Sequence, residues 1–194
     1  MMLKARLVAF IGVAAATLPG ALGFPSGNQP SIRPITGDGT AVLKAVGATG
    51  GVFIFIATDC PLSNAYAPEI DRIYRLYHGV GVSFQSVYED GQLTISQAEH
   101  HSKEYAYEFG GLLDSNHRFA FKLGAKVTPE AVVVSRSGKI VYRGRIDNTY
   151  ASVAQRREVT TVRDLRLALD AVCKNEKVPH PQTKAIGCAI PPSN

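Results

Sequence analysis

Apolar positions along the chain fall into two patterns, short unbroken runs and helical spacing. From Gly51 to Ala57 the run Val52-Phe53-Ile54-Phe55-Ile56 is continuous, which predicts a strand buried on both faces, as in a central parallel sheet. It ends at Thr58-Asp59-Cys60-Pro61. Next, Leu62, Tyr66, Ile70, Ile73, Tyr74 and Tyr77 recur at helical spacing, predicting an amphipathic helix up to Gly79 that Pro68 should kink. Gly81 to Val87 alternates and reads as a second strand, and Thr94 to Phe109 is a polar, charged helix pattern. Leu112-Leu113 suggest a short strand, followed by a helix to Leu123 capped near Asp114 or Ser115. Ala131 to Val134 predicts another buried strand, Arg136-Ser137-Gly138 a turn, and Lys139 to Arg143 its hairpin partner. Val162, Leu165, Leu169 and Val172 form the buried stripe of a last helix. Strands alternating with helices and closing in a hairpin predict an α/β fold, a central mixed sheet covered by helices on both faces.

The N-terminus breaks this pattern. Lys4 and Arg6 precede an apolar stretch from Leu7 to Leu18, and Ala21-Leu22-Gly23 supplies small residues for cleavage. Residues 1–23 therefore read as a signal peptide, and the protein as exported, periplasmic or secreted. Residues 24–40, rich in Pro, Gly and Ser, read as a flexible lead-in to one domain over 41–175. Residues 176–194 form a tail that carries Cys188. The 194 residues suit one such domain, and 45% apolar with 19% charged residues is ordinary globular composition. The net charge of +5 loses two cations with the leader. The remainder lies over Arg143, Arg145, Arg156, Arg157, Arg163 and Arg166 without interleaved aromatics, a solvated face and not a nucleic-acid footprint. Once the leader is removed, no run of about 18 apolar residues remains to span a membrane.

Export would place the three cysteines in an oxidising or redox-managed compartment. Cys60 directly follows a buried strand and precedes a helix, near unpaired backbone N–H groups that favour a thiolate. A helix end contributes only ~0.3–1 kcal/mol, below the ~1.36 kcal/mol of one pKa unit, so neighbouring groups must decide the acidity. Thr58 and Ser63 are the nearby hydroxyls able to support the sulfur, whereas a carboxylate from Asp59 would oppose it. Val127-Thr128-Pro129, just before a buried strand, is a site for a cis peptide bond that offers the Thr128 backbone to an extended partner.

Three segments taken together resemble an exported thioredoxin-fold family, the peroxiredoxin-like branch of the redoxins related to alkyl hydroperoxide reductase and thiol-specific antioxidant proteins. They are Thr58-Asp59-Cys60-Pro61-Leu62-Ser63-Asn64, Gly124-Ala125-Lys126-Val127-Thr128-Pro129 and Ile186-Gly187-Cys188-Ala189-Ile190. The resemblance implies a mixed sheet flanked by helices, with Cys60 at the reactive position and Thr128-Pro129 as the cis-proline loop facing it. There are departures. Ser63 stands where thioredoxins carry a second cysteine, and Ala57 and Phe53 stand where peroxiredoxins carry a hydroxyl residue and a proline. Glu130 follows the proline, and no peroxide-binding arginine is obvious.

Cys188 could resolve an intermediate at Cys60, form a structural disulfide, or pair between chains. Cys173, beside Val172 on the last helix, reads as a buried inert thiol, with a Cys173–Cys188 bridge as the alternative. His100 and His101 are adjacent and do not share a helix face, which argues against a metal site, and His117 reads as a solvated surface residue. No nucleotide-binding motif or other sign of a cofactor appears. The sequence thus points to a thiol–disulfide oxidoreductase or peroxiredoxin-like antioxidant protein. Cys60 would act on a protein disulfide or a hydroperoxide, Cys188 would resolve, and a thiol reductant would reset the pair. The alternative is a catalytically silent thioredoxin-like binding module whose cysteines are structural.

Overall fold

A computed structural model describes residues 31–35, 37 and 39–192; the leader, residues 1–23, lies outside them. Strands β1 (Ile32–Pro34), β2 (Gly50–Ile56), β3 (Val82–Tyr88), β4 (Gly111–Leu113), β5 (Val127–Thr128), β6 (Glu130–Ser135) and β7 (Ile140–Gly144) make most of the β-structure. A small hairpin, β8 (Tyr150–Ser152) and β9 (Gln155–Arg156), follows, and β10 (Cys188–Ala189) comes last. The helices are α1 (Thr40–Lys44), α2 (Pro61–Tyr77), α3 (Ile95–Glu104), α4 (Arg118–Leu123) and α5 (Asp164–Cys173). Six strands form the central sheet in the order β1-β4-β3-β2-β6-β7. β1, β4, β3 and β2 run parallel, whereas β6 and β7 are antiparallel to their neighbours. The mixed sheet is the expected one. Its edge strand β1 uses Ile32–Pro34, inside the stretch that composition alone reads as a flexible lead-in; a proline is tolerated there because an edge strand can spare an N–H.

β2 divides the core in two, as its pleat requires. Val52, Ile54 and Ile56 face one layer with Tyr66, Ile70 and Ile73 of α2, Ala98 of α3 and Leu165 and Leu169 of α5. Phe53 and Phe55 face the other, with Phe119, Ala120 and Leu123 of α4 and the partly buried Val42 and Leu43 of α1. Phe119 anchors this second layer, its ring set edge-on to Phe53 at 5.1 Å between centroids. Helices therefore cover both faces.

Several local expectations change. α3 is shorter than its polar pattern, opening at Thr94 in a capping box with Gln97 and closing at Glu104. The helix before β5 starts at Arg118 instead of near Asp114, because Asp114 acts from outside it: its Oδ2 accepts the Ala120 N–H at 2.8 Å. His117 occupies the cap position at φ 57° and is buried, not solvated, with Nε2 2.6 Å from the Glu89 carbonyl. Gly138, at φ 77°, makes the β6–β7 turn that an L side chain would strain.

Cys173 is exposed, not buried. It is the last residue of α5, so no further helical turn covers it, and the stripe is completed by Ala168 and Ala171 instead. It lines a surface cleft with Ser135 and Lys139, at the Gly50 end of β2, since Gly50 pairs with Ser135.

Replacing Phe119 should remove more than area, because the rigid sheet beneath it cannot collapse into the gap. Phe119→Ala is expected to destabilise the fold by about 3–5 kcal/mol. Phe121→Ala, two residues on at a site 75% exposed, should stay within about 0.5 kcal/mol. Urea denaturation of both variants measures the difference.

Candidate active site

Cys60 sits where β2 ends and α2 begins. Its backbone is extended at φ −83° and ψ 109°, it serves as the N-cap of α2, and Pro61 takes the first helical position, where a missing N–H costs nothing. The turn is closed by the Cys60 N–H on the Ala57 carbonyl at 3.2 Å, and the Cys60 carbonyl accepts the Asn64 N–H at 3.1 Å. The sulfur is fully buried. Its thiol donates to the Thr128 carbonyl at 3.0 Å, across the cis Thr128–Pro129 bond at the end of β5.

The residue that completes the site comes from the tail. β10 lies antiparallel on β5, with Cys188 opposite Thr128 and Ala189 opposite Val127, and the Ile190 N–H reaches the Lys126 carbonyl at 2.9 Å. This register brings the Cys188 side chain beside Cys60, near enough to favour its thiolate, with both cysteines free. Further back, the tail is fastened to the β7 edge. The Arg143 N–H donates to Pro181, the Thr183 N–H to Arg143, and Thr183 Oγ1 sits 2.8 Å from the Tyr142 hydroxyl.

Burial pushes the Cys60 thiol up, but hydrogen bonds outweigh it. The Cys188 thiol contributes most, followed by the Ser63 N–H and the Thr128 and Ser63 hydroxyls, and together they bring Cys60 from 9.0 to about 7. The Cys60 side chain accepts no formed capping bond from the Ser63 N–H, and the buried Thr128 hydroxyl has no formed hydrogen bond of its own. Both are donors held in reserve for an anionic sulfur. Cys188 moves the other way. Burial, its hydrogen bond to Cys60 and the negative charges of Cys60 and Asp59 push it up to about 11. Of two adjacent thiols, only one is ready to ionise at neutral pH.

Cys60, Cys188, Ser63, Thr128 and Pro129 are thus brought together. Thr58 is not part of this set: the half-buried residue engages Asn64 Nδ2 through its carbonyl at 3.0 Å, because the closed turn after Ala57 presents its backbone to α2. Cys173 is removed from it by the seven residues of β2, about 20 Å at ~3.3 Å per residue. A Cys173–Cys188 bridge is excluded in this arrangement, since bridged Cβ atoms lie ~3.5–4.5 Å apart.

Four supporting side chains escape the sequence pattern. Asn64 also accepts from His101 Nε2 at 3.0 Å, while the Tyr88 hydroxyl donates to Nδ1 at 3.1 Å. This network assigns the Nε2–H tautomer to a buried imidazole whose pKa burial lowers. Ala98, His101 and Ser102 are the buried face of α3, so helical spacing around Ala98 was the available signal. Glu130, also buried, accepts the Lys126 N–H at 2.7 Å and orders the approach to β5; desolvation raises its pKa against the opposing pull of those N–H groups and Arg143. Among the described residues, no group of three or more His, Cys, Asp or Glu side chains is arranged to hold a metal ion.

Comparison with known proteins agrees with this fold. An uncharacterized conserved protein from Geobacillus kaustophilus is 28% identical, with a TM-score of 0.67 over 76% of this chain and 80% of that one. A hypothetical protein from Sinorhizobium meliloti is 26% identical, with a TM-score of 0.65 over 78% and 82%. A putative thioredoxin from Neisseria meningitidis, at 17% identity and a TM-score of 0.50 over 65% and 75%, shares the fold. No curated protein matches in sequence. The Redoxin family profile matches residues 24–159, from the lead-in through the Cys60 turn and the Thr128-Pro129 loop to β9. The chain is a member of the Redoxin family.

Proposed function

We propose that the protein is a thiol–disulfide oxidoreductase in which Cys60 attacks and Cys188 resolves. The contact between two free thiols of opposed acidity carries this reading. Cys60, at about 7, is about half ionised at neutral pH, against a few per cent for an ordinary thiol. Its thiolate attacks one sulfur of a partner disulfide. The Cys60–partner bond forms, the partner's S–S bond breaks, and the departing thiolate takes a proton. Cys188 then loses its proton to water or to that thiolate and attacks the Cys60 sulfur. This closes the Cys60–Cys188 disulfide and frees the second partner thiol. The partner gains two electrons, and an external thiol reductant returns them to the protein.

The same pair suits a hydroperoxide as oxidant, a reading favoured by the complete burial of the sulfur, which admits a small molecule more easily than a protein. Attack on the O–O bond would give a sulfenic acid on Cys60 and an alcohol, and condensation with Cys188 would release water and close the same disulfide. The leader read from residues 1–23 supports export to a compartment where such a pair would cycle.

Two measurements test the assignment. Titrated by thiolate absorbance, the protein is expected to show its first thiol ionisation near pH 7. Cys188→Ala should move that midpoint up by roughly one to two units, because a hydrogen bond to a charged group is worth ~1.5–3 kcal/mol and one pKa unit ~1.36 kcal/mol. Cys188→Ser, which keeps a donor, should move it less. A wild-type midpoint near that of a free thiol would remove the proposed nucleophile. Peptide mapping after oxidation by a small disulfide, and separately by hydrogen peroxide, should recover a Cys60–Cys188 cross-link. Its absence under both oxidants, with no turnover of either, would favour a silent binding module.

A further inference from the structure

The β5 edge has two claimants. An extended partner would pair with Thr128 beside Cys60, yet in this structure the tail already pairs there through Cys188 and Ala189. We infer that Gly187-Cys188-Ala189-Ile190 is a tethered occupant of the partner-binding edge, that it must unpair before a partner docks, and that it shows what the edge accepts: an extended protein segment with glycine before its cysteine and a branched apolar residue two places after it. This inference rests on the exchange chemistry proposed above.

The glycine requirement is steric. A Cβ at Gly187 would stand 2.0 Å from the Thr128 carbonyl oxygen, 2.6 Å from its carbon and 3.1 Å from the Pro129 nitrogen. All three are backbone atoms, so no rotamer change relieves the overlap. At the other end, Ile190 packs against the layer built around Phe53, Phe55 and Phe119. A partner in the same register meets both conditions.

The tail can leave without being lost. Its fastening at Pro181–Thr183 on β7 is separate from the pairing on β5, and the five residues from Thr183 to Cys188 reach at most ~17 Å when extended. A segment held so closely competes at an effective concentration on the order of millimolar, so a partner at micromolar concentration docks only during openings. After the first exchange the partner holds the edge, and Cys188 must displace it to resolve. Weakening the tail's grip should therefore speed the first step and slow the second. A merely structural tail would not give opposite signs.

The full-length protein with the exposed Cys173 replaced by serine supports the test. The probe is a Gly-Cys-Ala-Ile peptide whose cysteine is joined to thionitrobenzoate. With Cys188→Ser added, attack by Cys60 forms the Cys60–peptide disulfide and releases the coloured thiolate, which reports the first step alone. Adding Gly187→Val should accelerate that release about tenfold at micromolar peptide, as expected for loss of a tethered competitor. In the matching protein that retains Cys188, the same substitution should slow release of peptide thiol from the mixed disulfide. Ile190→Asp loosens the tail at its other end and should reproduce both changes. A Val-Cys-Ala-Ile peptide should react about tenfold more slowly than the glycine peptide, one pKa-scale step of ~1.4 kcal/mol in binding. Unchanged rates, or both steps slowed, would overturn the inference while leaving the exchange reading intact if Cys60 still reacts with the peptide-free aromatic disulfide. Failure of Cys60 to react even with that small disulfide would overturn both.

Discussion

The two-sided burial of β2 is the constraint on which the remainder of this structure depends. Val52, Ile54 and Ile56 serve one apolar layer, and Phe53 and Phe55 the other. Neither set can reach water without emptying a core, so the strand's register is held tightly. The chain therefore leaves the sheet at one place after Ile56, and Cys60 falls at the N-cap of α2. β6 pairs antiparallel with the same strand and positions Pro129 and Thr128 at that end. The two halves of the site are thus aligned by hydrogen bonding to one strand.

The chemistry of the sulfur is decided by short-range donors. A helix end is too weak to account for a fall from 9.0 to about 7 against the penalty of burial. The difference is made by hydrogen bonds, with Cys188 the largest favourable contributor. The thiol proposed to resolve and the donor that readies the proposed nucleophile are therefore the same group. Burial and the same contact make Cys188 the weaker acid, at about 11, because losing its proton would set a second negative charge beside Cys60. Division of labour follows from contact.

Much of this was legible in the sequence where a pattern repeats. The unbroken run before Cys60, the helical spacing after it and the Arg136-Ser137-Gly138 turn specify elements that the structure contains, with ends shifted by a residue or two. Patterns failed where one residue serves two elements. Asp114 caps α4 from outside the helix, and His101, on a stripe too polar to read as apolar, is buried to hold Asn64. Cys173 was misplaced because periodicity says which face a residue occupies but not whether anything still covers the end of the helix.

By itself, the sequence determined the types of the principal elements, the mixed sheet, the position of Cys60 between strand and helix, and Thr128-Pro129 before β6. These are local matters, set by the periods of strand and helix and by the turn chemistry of Pro and Gly. Only the tertiary structure decided where Cys188 lies, opposite Thr128 on β5. A tail of Pro, Gly and polar residues has no periodicity to say where it lies. Its path is set by the backbone groups left free on β7 and β5 and by a Gly187 small enough to pass over Thr128. Those long-range pairings set Cys188 beside Cys60 and leave Cys173 at the far end of the sheet.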